Sequence, residues 1–166
     1  MALGPIRIGT ASWTDKSLVD SGLYYPKDLR AAEQWLRFYA AEFPLVEVDT
    51  SYYAIPEART AAQWAERTPN GFTFDVKAFR LFTGHGTDAK VLPPDLREEL
   101  PAALRASKKN FYYGDLPEPL RSALWSRFRE ALAPMQTAGK LGLVVFQFPP
   151  WFFPTARTAI TSRTAG

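Results

Sequence analysis

The stretch Leu45-Val46-Glu47-Val48-Asp49 decides how this chain is read, because apolar and acidic residues alternate in it with a period of two. Successive side chains of a strand point to opposite faces, so Val46 and Val48 face one way and Glu47 and Asp49 the other. Thr73-Phe74-Asp75-Val76-Lys77 repeats the phase, with Phe74 and Val76 on the apolar side and Thr73, Asp75 and Lys77 on the polar side. Two further apolar runs, at 6–9 and 143–148, also end in polar or charged clusters, and helical stretches separate all four.

Strand, loop and helix in that rhythm predict an α/β fold, a TIM-like β/α barrel that is incomplete, with about four of the expected β/α units. Alternation across the four runs gives an inward set of Arg7, Glu47, Asp49, Thr73, Asp75, Lys77 and Gln147. Barrel interiors are normally filled by branched aliphatic side chains, and interior charge is costly unless it is paired. A lumen this polar therefore points to a site at the C-terminal ends of the strands.

Between the runs, Leu29, Ala32, Trp35, Leu36, Tyr39 and Phe43 recur at helical spacing, and Pro44 closes that crossover before the second strand. A second helix over about 57–67 carries Ala58, Ala61, Ala62, Trp64 and Ala65 and stops at Thr68-Pro69-Asn70-Gly71. The long stretch 79–114 holds the sole histidine and a proline-flanked helix near 95–107, and reads as an excursion over the rim, a candidate lid. A helix over about 118–138, kinked at Pro134, precedes the last strand. Residues 1–153 form the partial barrel domain in this reading, and 154–166, without periodicity, a disordered tail.

With 166 residues, 46% of them hydrophobic, the chain supports a folded core, yet a single-domain barrel usually needs roughly 250 residues. The absence of cysteine excludes a disulfide framework, a thiolate metal site and a cysteine nucleophile, and agrees with a cytoplasmic location. No apolar run spans a bilayer, so no membrane association is expected. The net charge of +3 is modest. Lys108-Lys109 beside Asn110-Phe111-Tyr112-Tyr113 is the one basic and aromatic cluster, and nucleic acid is the disfavoured partner. Neither G-x-G-x-x-G nor a Walker pattern occurs, and no cofactor or metal is expected.

Gly9-Thr10-Ala11-Ser12-Trp13, Tyr25-Pro26, Val46-Glu47-Val48-Asp49-Thr50-Ser51-Tyr52-Tyr53, Thr68-Pro69, Phe72-Thr73-Phe74-Asp75-Val76-Lys77 and Gln147-Phe148-Pro149-Pro150 follow one another in order. The ordered series resembles the YecE-like family, domain of unknown function 72. The resemblance implies a TIM-like barrel without an established activity or cofactor, continued by further β/α units with a later glutamate, arginine and tryptophan. The chain is accordingly expected to be truncated, the N-terminal half or somewhat more of such a barrel, with strand edges open to self-association.

Glu47 and Asp49, two apart on one strand face, have the spacing of paired carboxylates for acid/base work or for a hard divalent cation, and Lys77 on the next strand holds one ionised or binds an anionic ligand. The alternative is a structural ion-pair network with Arg7 and Asp75. His85, in Thr83-Gly84-His85-Gly86, is the sole imidazole and the natural proton carrier near neutral pH, with an exposed loop residue as the alternative. Glu47, Lys77 and His85 are the candidate catalytic residues. Ser12, Trp13, Asp49, Tyr52, Asp75 and Gln147 are the candidate ligand-binding residues, while Trp13, Tyr52, Tyr53 and Trp151 serve equally as aromatic walls or as packing. The expected ligand is a small polar molecule, anionic or sugar-like. A non-catalytic binding module, and a fragment without activity of its own, are the other readings.

Overall fold

The computed structural model describes residues 6–107 and 109–153. Three parallel strands, β1 (Leu45–Val48), β2 (Thr73–Lys77) and β3 (Leu141–Val145), lie in that order in one sheet. The predicted alternation is present: Val46, Val48, Phe74 and Val76 are buried, while Glu47, Thr73, Asp75 and Lys77 are half-buried on the opposite face. In register, Glu47 faces Asp75 and Val48 faces Val76.

The α-helices among the described residues are α1 (Lys16–Asp20), α2 (Ala32–Glu42), α3 (Ala58–Glu66), α4 (Pro94–Glu98), α5 (Ala102–Ala106) and α6 (Glu118–Thr137). The apolar sheet face packs on Leu36, Tyr39 and Ala40 of α2, Ala61 of α3, and Phe128, Leu132 and Met135 of α6. Each large side chain buried this way contributes about 1.5–3 kcal/mol. At the end of α3 the ammonium of Lys140 donates to the carbonyl of Thr68 (2.6 Å) and to that of Ala65 (2.5 Å), capping buried helix-end carbonyls with a cation.

Four expectations are corrected. The run 6–9 forms no strand: Ile6 and Ile8 are exposed, and parallel pairing with β1 is confined to the bridge Ala11–Glu47, with Ser12 N donating to Glu47 O and Glu47 N to Thr10 O. Among the described residues three strands therefore stand where four were expected, and Tyr39, whose hydroxyl accepts from Thr10 N and donates to Leu45 O, ties this segment to β1. The last strand lies at Leu141–Val145, so Gln147 falls beyond its end and is exposed.

The single helix near 95–107 is two, α4 and α5, because Pro101 stands at the N-cap of the second and cannot continue the first. The candidate lid is a packed unit: Leu92, Leu96, Leu100 and Phe111 join Phe79, Leu81 and Leu120 in a second core, closed by the antiparallel bridge Thr87–Phe111. The predicted disordered tail lies outside the described residues.

Candidate functional site

β1 runs straight into a 3-10 turn, Asp49–Tyr52, and β2 is followed after Ala78 and Phe79 by another, Arg80–Thr83. Ser51 fixes the two strand ends together: its buried hydroxyl lies 2.6 Å from the carbonyl oxygens of both Val48 and Lys77, its one proton shared between them. This hydroxyl was not singled out by sequence reasoning. Its only signal is a small polar residue directly after a strand.

On the platform so formed, Lys77 Nζ donates to Asp49 Oδ1 at 2.6 Å and lies 3.6 Å from Glu47 Oε1. All three side chains are 15–30% exposed, so the cluster is reached by water yet partly shielded from it. Burial works against the Lys77 charge, but the hydrogen bond and charge of Asp49, with Glu47 behind, outweigh it and raise its pKa above the ordinary 10.5. Lys77 is thus a fixed cation held by two carboxylates.

Tyr52 lies beneath a second cation. Lys77 Nζ is 5.6 Å and Arg80 Cζ 5.5 Å from its ring centroid, both in cation–π range. The Tyr52 ring meets His85 edge to face at 5.3 Å, and His85 in turn is 6.3 Å from Trp151. The His85 pKa is lowered from 6.5 first by burial and then by the Arg80 charge. Its Nδ1 is 2.9 Å from Thr83 Oγ1, whose proton is directed at the Arg80 carbonyl (3.0 Å). That hydroxyl therefore accepts at Nδ1–H, leaving Nε2 with the lone pair of the neutral ring.

The structure brings together Glu47, Asp49, Tyr52, Lys77 and His85 among the sequence candidates. It separates the others. Asp75 accepts from Leu143 N (2.7 Å) where β3 bulges between its pairings with Phe74 and Val76, so its carboxylate completes the sheet. Arg7 donates to Thr73 Oγ1 (2.9 Å), one strand-length below the cluster. The aromatic-wall reading of Trp13 is corrected: it is 6% exposed, packs edge-on against Trp64 and Phe74, and donates to Ala32 O. Ser12, at φ 75°, spends its hydroxyl on Thr14. Gln147 makes no hydrogen bond to the cluster among the described residues.

Two surface recesses lie away from this cluster, one of about 240 Å³ beside Tyr25 and Trp35 and one of about 780 Å³ between α3 and α6. Among the described residues no three carboxylate or imidazole groups converge as metal ligands, and no helix is long and apolar enough to cross a membrane. Of the basic doublet, Lys108 lies outside the described residues, and Lys109 is exposed.

The sequence profile of a family described as "Protein of unknown function DUF72" matches residues 7–163. The UPF0759 protein YunF of Bacillus subtilis (strain 168) is 33% identical over 147 residues, 89% of this chain and 41% of its own length. Two crystal structures of a DUF72 family protein (EF0366) from Enterococcus faecalis V583 superpose with TM-scores of 0.61 and 0.64 at 23% and 22% identity. Each match covers 96% of this chain and 45% of that one, so the likeness is one of fold, and this chain spans less than half the length of either relative.

Proposed function

This chain belongs to the DUF72 family, and from that premise we propose that it binds a small polar, anionic or sugar-like molecule at the C-terminal ends of β1 and β2. Glu47 is the base or ligand anchor, Lys77 the electrostatic partner and His85 the proton shuttle. The observation that carries this reading is the position of Lys77 between two half-exposed carboxylates, across Tyr52 from a histidine whose pKa is lowered. In open parallel sheets ligands bind outside the carboxyl ends of the strands, where perturbed titratable groups cluster at functional sites. The test compares Glu47→Gln with the unaltered protein in ligand titration; equal binding and turnover would remove Glu47 from the site.

The sheet itself we read as a sector of a β/α barrel. The order β1-β2-β3, all parallel, with helices on one face and polar residues on the other, supports it. So does the exposed apolar side of β3 and the segment after it, where Leu143 is 69% and Phe146 44% exposed. An edge of this kind pairs with further strands or with a second copy. The cytoplasm is the proposed compartment, on the lack of cysteine.

A further inference from the structure

We propose that Arg80, with Tyr52 and His85, forms an oxyanion subsite that receives the phosphate or carboxylate group of the ligand whose remainder reaches Glu47, Asp49 and Lys77. The inference rests on the strand-end reading above and names the chemistry of one end of its ligand. Arg80 was not a sequence candidate; it follows β2 by three positions and opens the 3-10 turn Arg80–Thr83.

Three arginines of the fold are matched with carboxylates: Arg67 with Glu33 (2.7 Å), Arg121 with Glu118 (2.8 Å) and Arg127 with Asp95 (2.5 Å). Arg80 is not among these pairs, and its buried Nε, like that of Arg121, has no hydrogen-bond acceptor among the described residues; Arg80 alone of the two lacks a carboxylate on its terminal nitrogens there. A buried donor without a partner carries a desolvation cost that an incoming oxygen would offset. The guanidinium fork matches the two oxygens of a carboxylate or phosphate, and the Tyr52 face steadies it from one side.

Charge favours the same assignment. Lys77 shares the Tyr52 ring but is answered by Asp49 and Glu47, so the Arg80 charge is the one left for a ligand. His85 is linked to Arg80 through its own backbone, His85 N donating to Arg80 O at 3.2 Å. With Nδ1 committed to Thr83, Nε2 is the ring nitrogen available to a bound group. An oxyanion there offsets the Arg80 charge and favours a proton on Nε2, coupling binding to protonation of His85.

The sole histidine makes the test clean, because the chain has one imidazole to titrate. Its proton titration is followed by NMR with rising inorganic phosphate, and separately with glycolate, at constant ionic strength set by chloride. The proposal expects a saturable shift and a higher titration midpoint with at least one of the two anions, which identifies the anion class. It expects binding at least tenfold weaker in Arg80→Gln and several-fold weaker in Arg80→Lys, which keeps the charge and loses the fork. A response to neither anion, or an Arg80→Gln protein that responds as the original does, overturns the subsite. If Arg80→Gln does not fold, Arg80→Lys decides by the same criterion. Glu47→Gln separates the two readings: anion binding retained there while larger ligands bind it unchanged keeps the subsite and removes Glu47 from the proposed function.

Discussion

The Lys77 ammonium lies 2.6 Å from Asp49 on the neighbouring strand end, closer than its 3.6 Å approach to Glu47 on the strand itself. Asp49 is thus the first counter-ion, and Glu47 keeps a looser contact. Lys77→Met is expected to cost about 1–2 kcal/mol in urea denaturation, since it leaves two facing carboxylates without their cation. Asp49→Asn in the same protein is expected to restore part of the loss. Because the folded-state pKa of Lys77 is raised, its contribution is complete below 10.5 and disappears as pH rises through the higher folded value.

Gly142 is required by Asp75. A Cβ at Gly142 would overlap the Asp75 carboxylate oxygen and lie 2.5 Å from Thr73 Cγ2. Gly142→Ala is expected to destabilise the sheet by about 1–3 kcal/mol, as overpacking does, and Asp75→Ala to relieve part of the clash while freeing Leu143 N. Additivity of the two changes in denaturation would contradict the direct contact.

His85 should report its surroundings through pH. Its folded-state pKa lies below 6.5, by burial and by Arg80, so the unfolded chain binds the proton more readily. Stability then falls as pH drops from 6.5 through the folded value, and levels off beneath it. NMR titration of the imidazole is expected to give a midpoint below 6.5, moving upward in Arg80→Gln.

Lys140 carries a structural load. Its ammonium donates to two carbonyls at the end of α3 and approaches Thr68 Oγ1 at 3.2 Å. Lys140→Met keeps the aliphatic stem and removes the donors. It is expected to cost about 1–3 kcal/mol and to loosen the end of α3, read as faster amide exchange over 63–68.

Much of this was legible in the sequence where alternation was strict. Leu45–Val48 and Thr73–Lys77 gave their strands, their buried faces and the meeting of Glu47, Asp49 and Lys77, because a period of two fixes the face once one side is apolar. The first and last runs were harder. Ile6 and Ile8 look like strand residues by composition, but no described neighbour covers them, and the last strand ends at Val145, two residues short of Gln147, so alternation no longer fixes the side on which Gln147 lies. Trp13 shows the same limit, since an aromatic after a glycine-rich turn fits a rim or a core until its neighbours Trp64 and Phe74 are known. Arg80 escaped notice because its significance lies in what it lacks, an acceptor for a buried Nε, and no pattern of residues reveals that.

The most direct measurement is equilibrium binding of a panel of hydroxy acids, sugars and sugar phosphates to the full chain and to the Glu47→Gln/Asp49→Asn/Lys77→Met variant, with the stability of both determined alongside. Replacing a whole ion-pair network by neutral groups of similar shape is often nearly neutral for stability. The account predicts stability kept to within about 1 kcal/mol and ligand binding lost. Binding that survives in the variant, or a variant that loses only stability, would contradict a ligand site and leave Glu47, Asp49 and Lys77 as a structural network.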